Sequence, residues 1–207
     1  MFQAEVKLEF VRRYCPPGGG WHVLVDIDPS EEGRTGGERK SEMAKHRQHL
    51  MHEAAGRACQ ELESMGAEVG GKRTRWFTRY GLPAIEGDRD IVAFHKVRRV
   101  CVIAEAEGVS GGQPETKLYK AIGQIVVAAS GVCPPGWRTT FVLVVHGREI
   151  ADHLGRVTAF TRLGVSALSL SDTPQKDRWL FQDPLLPKLL FGEVRVKKAE
   201  KTAEAKT

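Results

Sequence analysis

The first part of the chain alternates apolar and polar side chains, which is the pattern of β-strands. Over residues 5–14, Val6, Leu8 and Phe10 fall on one face, and a second apolar segment at residues 21–27 follows a loop rich in proline and glycine. We therefore predict a hairpin or accessory strands within residues 1–37, at the margin of a larger sheet. The polar, glycine-rich residues that follow predict a loop.

Three later segments have the spacing of amphipathic helices. Apolar residues recur at intervals of three, four and seven over residues 38–66, and Gly66 stands where that helix would end. Residues 114–130 and 148–163 show the same periodicity, and Pro114 suits a first helical turn. These segments predict helices that bury one face against a sheet.

Short apolar runs alternate with the predicted helices. Two of them flank the basic turn at residues 96–99, and others cover residues 139–146 and 165–170. Alternation of strand and helix predicts an α/β domain with a central mixed β-sheet flanked by helices. We assign residues 38–183 to this core and residues 184–207 to a C-terminal extension, which we expect to be disordered from about residue 197.

Composition adds a mild basic bias to this picture. The net charge is +5 and the pI is about 9.1, which is compatible with a phosphate-rich partner. The four cysteines lack metal-binding or redox spacing, which favours reduced thiols and a cytoplasmic protein. No apolar run reaches the ~18 residues of a membrane span, so we expect no membrane association.

Carboxylates collect where two predicted strands meet their loops. Asp90 precedes one apolar run, whereas Glu105 and Glu107 end the next and share a face because strand side chains alternate. Pairing of the two strands would place Asp90 beside Glu105. Carboxylates this close repel unless a cation lies among them, and Mg²⁺ or Mn²⁺ would satisfy them. The pattern predicts a magnesium site; the alternative is an acidic strand end facing solvent.

The stretch from Asp90 to Gln124 resembles the signature of the PD-(D/E)xK nuclease superfamily, which has the restriction-endonuclease-like fold. Asp90 matches the acid at a strand start, Glu105 matches the acid at the end of the next strand, and residues 120–124 lie in a helix that follows. The resemblance covers about residues 50–170. It implies a metal-dependent nuclease that hydrolyses phosphodiester bonds in DNA, with Asp90, Glu105 and Glu107 holding the metal.

One position departs from the family pattern, because Glu107 occupies the place of the family's lysine. The missing charge could come from Lys117 or Lys120 on the next predicted helix, with Gln124 on the same edge to orient water or phosphate. Alternatively, Glu107 could hold a second metal ion. If neither substitute works, the resemblance implies a catalytically inactive nuclease-fold module for nucleic-acid binding or protein assembly.

Two further features follow from the same resemblance and from charge. The family often carries a glutamate on the helix before the core sheet, facing the metal, for which Glu53 or Glu61 is a candidate.

Basic and aromatic side chains interleave over residues 72–80, which suits a nucleic-acid backbone and stacked bases, or else a strand with one charged face. The candidate nucleic-acid-binding residues are Lys72, Arg73, Arg75, Trp76, Arg79 and Arg98. A second copy of the chain, forming a homodimer, is the other partner we consider.

Overall fold

The computed structural model describes residues 1–27, 42–70, 73–85, 87–108, 114–131, 133–147, 152, 154 and 159–181. Within these residues the helices are, in chain order, α1 (Gln3–Tyr14), α2 (Glu42–Ser64), α3 (Arg73–Tyr80), α4 (Pro114–Ala129) and α5 (Ala159–Leu163). The strands are β1 (Trp21–Val25), β2 (Glu68–Val69), β3 (Ile91–His95), β4 (Val100–Glu107), β5 (Arg138–His146), β6 (Val165–Leu170) and β7 (Arg178–Phe181).

The described strands form one mixed sheet of seven strands in the order β2-β1-β3-β4-β5-β6-β7. Strands β4, β5 and β6 are parallel, β3 is antiparallel to both β1 and β4, and β7 closes the far edge in the antiparallel sense. Helix α4 lies in the crossover between β4 and β5, as parallel neighbours require. The predicted α/β class with a central mixed sheet flanked by helices is confirmed.

Each face of the sheet is covered by its own apolar core. Val102, Ala104 and Ala106 of β4 face the core that includes α1 and α2, whereas Cys101 and Ile103 face the core that includes α3 and α4. Because strand side chains alternate between faces, Glu105 belongs to the α3–α4 side. This assignment determines which elements can surround the predicted carboxylates.

The N-terminal prediction of paired strands is wrong, because residues 3–14 form a helix. Its buried residues include Ala4, Lys7, Leu8 and Val11 at the helical spacing of three and four, together with Val6 and Phe10. Lys7 interrupts the apolar pattern of the helix. The alternation of residues 6, 8 and 10 was therefore the clearer pattern in the sequence, and it predicted a strand. Helix α1 packs on α2 and on β4, and β1 lies inside the main sheet between β2 and β3.

The segment predicted as a basic strand is also helical. Residues Arg73–Tyr80 form α3, which places Trp76 and Phe77 in the core beside Phe94 of β3. The predicted strand at β1 and the predicted helices at α2 and α4 are confirmed in their described parts, and Gly66 takes the left-handed conformation (φ 91°) just after α2. Residues 184–207 and most of 148–158 lie outside the described residues.

The start of α1 packs directly on the end of β4, at Gly108. A Cβ atom built on Gly108 would lie 2.7 Å from the backbone nitrogen of Gln3 and from the carbonyl carbon of Phe2. These are backbone atoms, so α1 itself would have to shift. We expect Gly108→Ala to lower the free energy of unfolding by roughly 1–3 kcal/mol, measured by urea denaturation.

Gly56 supplies the matched control for that substitution. It lies within α2, and a Cβ atom there meets nothing within 4 Å. Gly56→Ala should stabilise the protein by up to about 1 kcal/mol, since alanine favours the helix. Equal effects of the two substitutions would show that the contact between α1 and β4 is not tight.

Candidate functional site

Asp90 and Glu105 lie side by side at one end of the β3–β4 hairpin. Ile91 pairs with Ala104 in the antiparallel register, so Asp90 and Glu105 are the next residues opposite each other. The Asp90 Oδ2 atom accepts a hydrogen bond of 2.8 Å from the backbone N–H of Ala106. The structure thus brings together the two acids that the sequence singled out at the strand ends.

A lysine that the sequence analysis did not select completes this arrangement. Lys7 on α1 extends its ammonium group to 2.7 Å from Asp90 Oδ1, and its side chain is only 5% exposed. The same Nζ donates a hydrogen bond to the backbone carbonyl of Asp26, just after β1. The available signal was a lysine at an apolar position of the helical stripe, which indicates a buried partner of opposite charge.

Glu105 is the most deeply buried charged side chain at this site, at 1% exposure. Within the described residues no N–H or ammonium group donates a hydrogen bond to either carboxyl oxygen, and Arg89 Nη1 lies 3.8 Å from Oε1. Burial, followed by the negative charge of Asp90, raises the pKa of Glu105 to about 8, although Arg89 and Lys7 oppose this shift. The site therefore holds two carboxyl groups whose electrostatics are incompletely balanced.

The raised pKa of Glu105 makes stability depend on pH in a defined direction. The folded state holds this proton up to about pH 8, whereas the unfolded chain releases it near the ordinary pKa of 4.5. The stabilising contribution is therefore complete below pH 4.5 and is lost as the pH rises towards 8. In EDTA, the free energy of unfolding of wild type should fall relative to Glu105→Gln by up to ~1.4 kcal/mol per pH unit in this window.

Urea denaturation of both proteins at pH 5.5, 7.0 and 8.5 measures this difference. The glutamine variant cannot ionise, so it reports the pH dependence of every other group. A difference between the two proteins that stays constant from pH 5.5 to 8.5 would show that Glu105 titrates normally.

The other predicted metal ligands differ in their burial and in their partners. Glu107 is buried and, by strand alternation, lies on the same face as Glu105. Glu53 is 46% exposed on α2, where its carboxylate lies 3.3 Å from His49, and Glu61 is 51% exposed and pairs with Arg12. No group of three or more His, Cys, Asp or Glu side chains in the described part of the chain is arranged to hold a metal ion. The predicted ligand set is thus not assembled there, and the carboxyl pair of Asp90 and Glu105 stands in its place.

The predicted replacements for the family lysine lie on α4. Lys120 is exposed, and the recorded cationic partners of the acid pair are Lys7 and Arg89 instead. Gln124 is half-buried, and the side chain of Lys117 is not among those described. The cation that pairs with Asp90 comes from α1, an element that the sequence analysis did not recognise as a helix, and the cation near Glu105 comes from the segment before β3.

Of the predicted nucleic-acid-binding residues, Trp76 is contradicted by its burial. At 3% exposure, its ring packs against Phe77 and Tyr80 and has no free face for a base. Arg75 is exposed on the same helix. Lys72 and the side chain of Arg73 lie outside the described residues.

The remaining basic candidates do not surround the acid pair. Arg79 is exposed, pairs with Glu68 and lies over the Tyr80 ring. Arg98 is exposed in the turn between β3 and β4, at the opposite end of β4 from Glu105. That separation is roughly 17 Å along the strand at about 3.3 Å per residue. A polyanion that reached both places would have to cross the length of the sheet.

Comparisons of this chain with protein-family models, with curated proteins and with solved structures give no match. Among the described residues, no helix combines the length and the apolar character needed to cross a membrane. What the site can do therefore follows from the chemistry of Lys7, Arg89, Asp90 and Glu105.

Proposed function

We propose that this protein is a metal-dependent phosphodiesterase that hydrolyses DNA, with Asp90 and Glu105 as its metal ligands. The observation that carries the proposal is the Glu105 carboxyl group, which is buried beside the Asp90 carboxylate and which no N–H or ammonium group of the described residues reaches within hydrogen-bond distance. Because burial and Asp90 keep this carboxyl group protonated to about pH 8, ionising it without a counter-charge would cost several kcal/mol. A divalent cation would supply the missing partner.

The donor set fits a hard cation. Mg²⁺ is usually held by one or two carboxylates together with water and phosphate oxygens, so two acids are sufficient. When bound, Mg²⁺ or Mn²⁺ would polarise a phosphate and lower the pKa of a coordinated water. The Ala106 N–H fixes one oxygen of Asp90, which orients that carboxylate towards the end of the sheet.

Lys7 and Arg89 supply the positive charge that position 107 lacks. Lys7 Nζ lies 2.7 Å from Asp90 Oδ1, in an ion pair. The Arg89 side chain is 12% exposed next to Glu105, and its guanidinium has the planar donor geometry that recognises phosphate. Both groups favour the binding of a phosphodiester and the stabilisation of charge that develops on it.

The order of elements supports the resemblance to the PD-(D/E)xK superfamily. An antiparallel hairpin carries the two acids at its open end, a helix follows, and the next strand is parallel to the second strand of the hairpin. DNA as the substrate rests on this resemblance together with the net charge of +5. The cytoplasmic location is supported by four free cysteines, two of them buried. Assembly as a homodimer stays a prediction.

A non-cleaving module of the same fold is the second candidate, and a specific observation favours it. Lys7 already provides a built-in cation for Asp90, whose two oxygens are engaged by Lys7 and by the Ala106 N–H. A site neutralised in this way needs no metal ion to be stable. The module would bind nucleic acid or a protein partner without hydrolysis.

Two measurements on the whole protein separate these functions. Supercoiled plasmid is incubated with the protein and Mg²⁺ or Mn²⁺, with EDTA as the control, and metal binding is measured by calorimetry for wild type and Glu105→Gln. Cleavage that needs metal, together with heat that disappears in the variant, supports the phosphodiesterase. If neither metal binding nor cleavage is found, the result supports the non-cleaving module. If Glu105→Gln binds metal as well as wild type does, the assigned metal site is refuted.

A further inference from the structure

A cavity of about 520 Å³ opens next to the acid pair on the α3–α4 side of the sheet. It lies between the segment that leads into β3, the second half of α4 and the loop that precedes β5. Most of its lining is apolar, and the residues that define its character are Pro83, Ile85, Arg89, Ile103, Val127 and Phe141. This volume is within the range of about 300–1,000 Å³ that is usual for small-molecule sites.

Arg89 connects the cavity to the acid pair. Its side chain lines the cavity, and its Nη1 atom lies 3.8 Å from Glu105 Oε1. Ile103, another lining residue, precedes Glu105 by two positions on β4 and so shares its face. A ligand in the cavity would therefore lie one side chain away from the two carboxyl groups.

Gly87 packs close to the Arg89 guanidinium. Gly87 also lines the cavity and has a φ of 77°, which L-residues rarely adopt. A Cβ atom on Gly87 would lie 3.2 Å from Arg89 Nη2, so a side chain there would crowd the guanidinium. A glycine at this position leaves room for the Arg89 guanidinium between the cavity and Glu105.

The lining defines the chemistry of the ligand. A purely apolar molecule would remove water from the Arg89 guanidinium and offer it no anionic group, and a purely polar one would leave the apolar walls unused. A flat ring joined to an anionic group satisfies both parts, because the ring packs on the walls and the anion pairs with the guanidinium. A nucleotide has this combination.

We infer that the cavity binds one unpaired nucleotide of the substrate strand, with its base inside and its phosphate at Arg89. This inference rests on the proposed function and makes it more specific: the substrate is a strand with accessible bases, single-stranded or locally opened, since a base inside a duplex cannot enter such a cavity. The cavity holds the strand so that a neighbouring phosphodiester lies at Asp90 and Glu105.

The test uses the thiol of Cys133, which is exposed and lines the cavity. Cys15 and Cys101 are buried, so a Cys59→Ser background leaves Cys133 as the reactive thiol. Its alkylation rate is measured in EDTA with increasing dAMP, with a short single-stranded oligonucleotide and with duplex DNA. Because no metal is present, binding is measured independently of hydrolysis.

We expect saturating dAMP or single-stranded oligonucleotide to slow alkylation at least fivefold, and duplex DNA to give little protection. Arg89→Gln should raise the dAMP concentration for half-protection about tenfold, whereas Arg162→Gln, an exposed arginine on α5, should not change it. Ala84→Trp adds bulk to an exposed lining residue and should remove protection by filling the cavity. Thermal unfolding of each variant shows whether it is folded, and Ala84→Trp keeps the test valid if Arg89→Gln is unstable.

Several results would overturn the inference. They are no protection by millimolar dAMP, protection by inorganic phosphate or benzoate equal to that by dAMP, and full protection in folded Ala84→Trp. Protection without any plasmid cleavage would support the cavity while refuting the phosphodiesterase. Metal-dependent cleavage without protection would support the phosphodiesterase and refute nucleotide binding in the cavity.

Discussion

Glu105→Gln is expected to abolish metal-dependent cleavage of plasmid DNA, with a loss of at least about 10³-fold that corresponds to ~4 kcal/mol of lost transition-state stabilisation. The substitution keeps the size of a side chain that is 1% exposed and replaces a carboxyl oxygen by an amide NH2 group, which cannot ionise. It should also stabilise the protein at pH 8, because the buried negative charge disappears. Initial rates of supercoil loss and urea denaturation, measured on the same preparations, test both effects.

The opposite signs of these two effects make the experiment decisive. A less active and more stable variant cannot have lost activity through unfolding. Glu63→Gln, at an exposed position of α2, is the matched control and should change neither quantity. Asp90→Asn should lose activity to the same extent but should also be less stable, because Lys7 would lose its partner. Cleavage by Glu105→Gln at more than a tenth of the wild-type rate would contradict the assignment.

Lys7→Met is expected to lower the free energy of unfolding by roughly 3 kcal/mol, the lower end of the range for breaking a buried ion pair from one side. The ammonium group lies 2.7 Å from Asp90, and the two side chains are 5% and 18% exposed. Methionine fills a similar volume but leaves the Asp90 carboxylate beside Glu105 without this cation. Urea denaturation at pH 7 measures the loss.

Lys45→Met removes a surface ion pair and provides the comparison. Lys45 is 61% exposed and pairs with Glu42, which is 89% exposed, so the cost should be at most about 0.5 kcal/mol. In Lys7→Met/Asp90→Asn both charges are absent, and part of the lost stability should return. If Lys7→Met costs no more than Lys45→Met, the ion pair does not hold α1 to the sheet.

The acid pair could be predicted from the sequence because it depends on local rules. A short basic turn joins two apolar runs, so antiparallel pairing follows, and the register sets Asp90 opposite Glu105. The alternation of side chains then assigns Glu105 and Glu107 to one face. The same rules predicted the helix that crosses from β4 to β5.

The role of Lys7 could not be predicted in the same way, because its partner is set by the tertiary structure. A lysine in an apolar stripe weakens the helical periodicity of α1, and only contact with Asp90 explains its burial. At α3, the alternation of Trp76, Thr78 and Tyr80 resembled a strand, whereas packing against Phe94 favours a helix of eight residues. The cavity at Arg89 is built from segments that are remote along the chain, and no local pattern describes it.

The span of chain between Lys7 and Asp90 has a consequence for biosynthesis. Lys7 is synthesised before Asp90 and Glu105. Its ammonium group therefore stays hydrated while β1, α2 and α3 are made. Docking of the β3–β4 hairpin onto α1 then desolvates the cation and both acids together. Because β4 pairs with β5 as its parallel neighbour, a nascent chain that stops before β5 leaves one edge of β4 unpaired, so the strand that carries Glu105 is complete in the sheet only after β5 has been made.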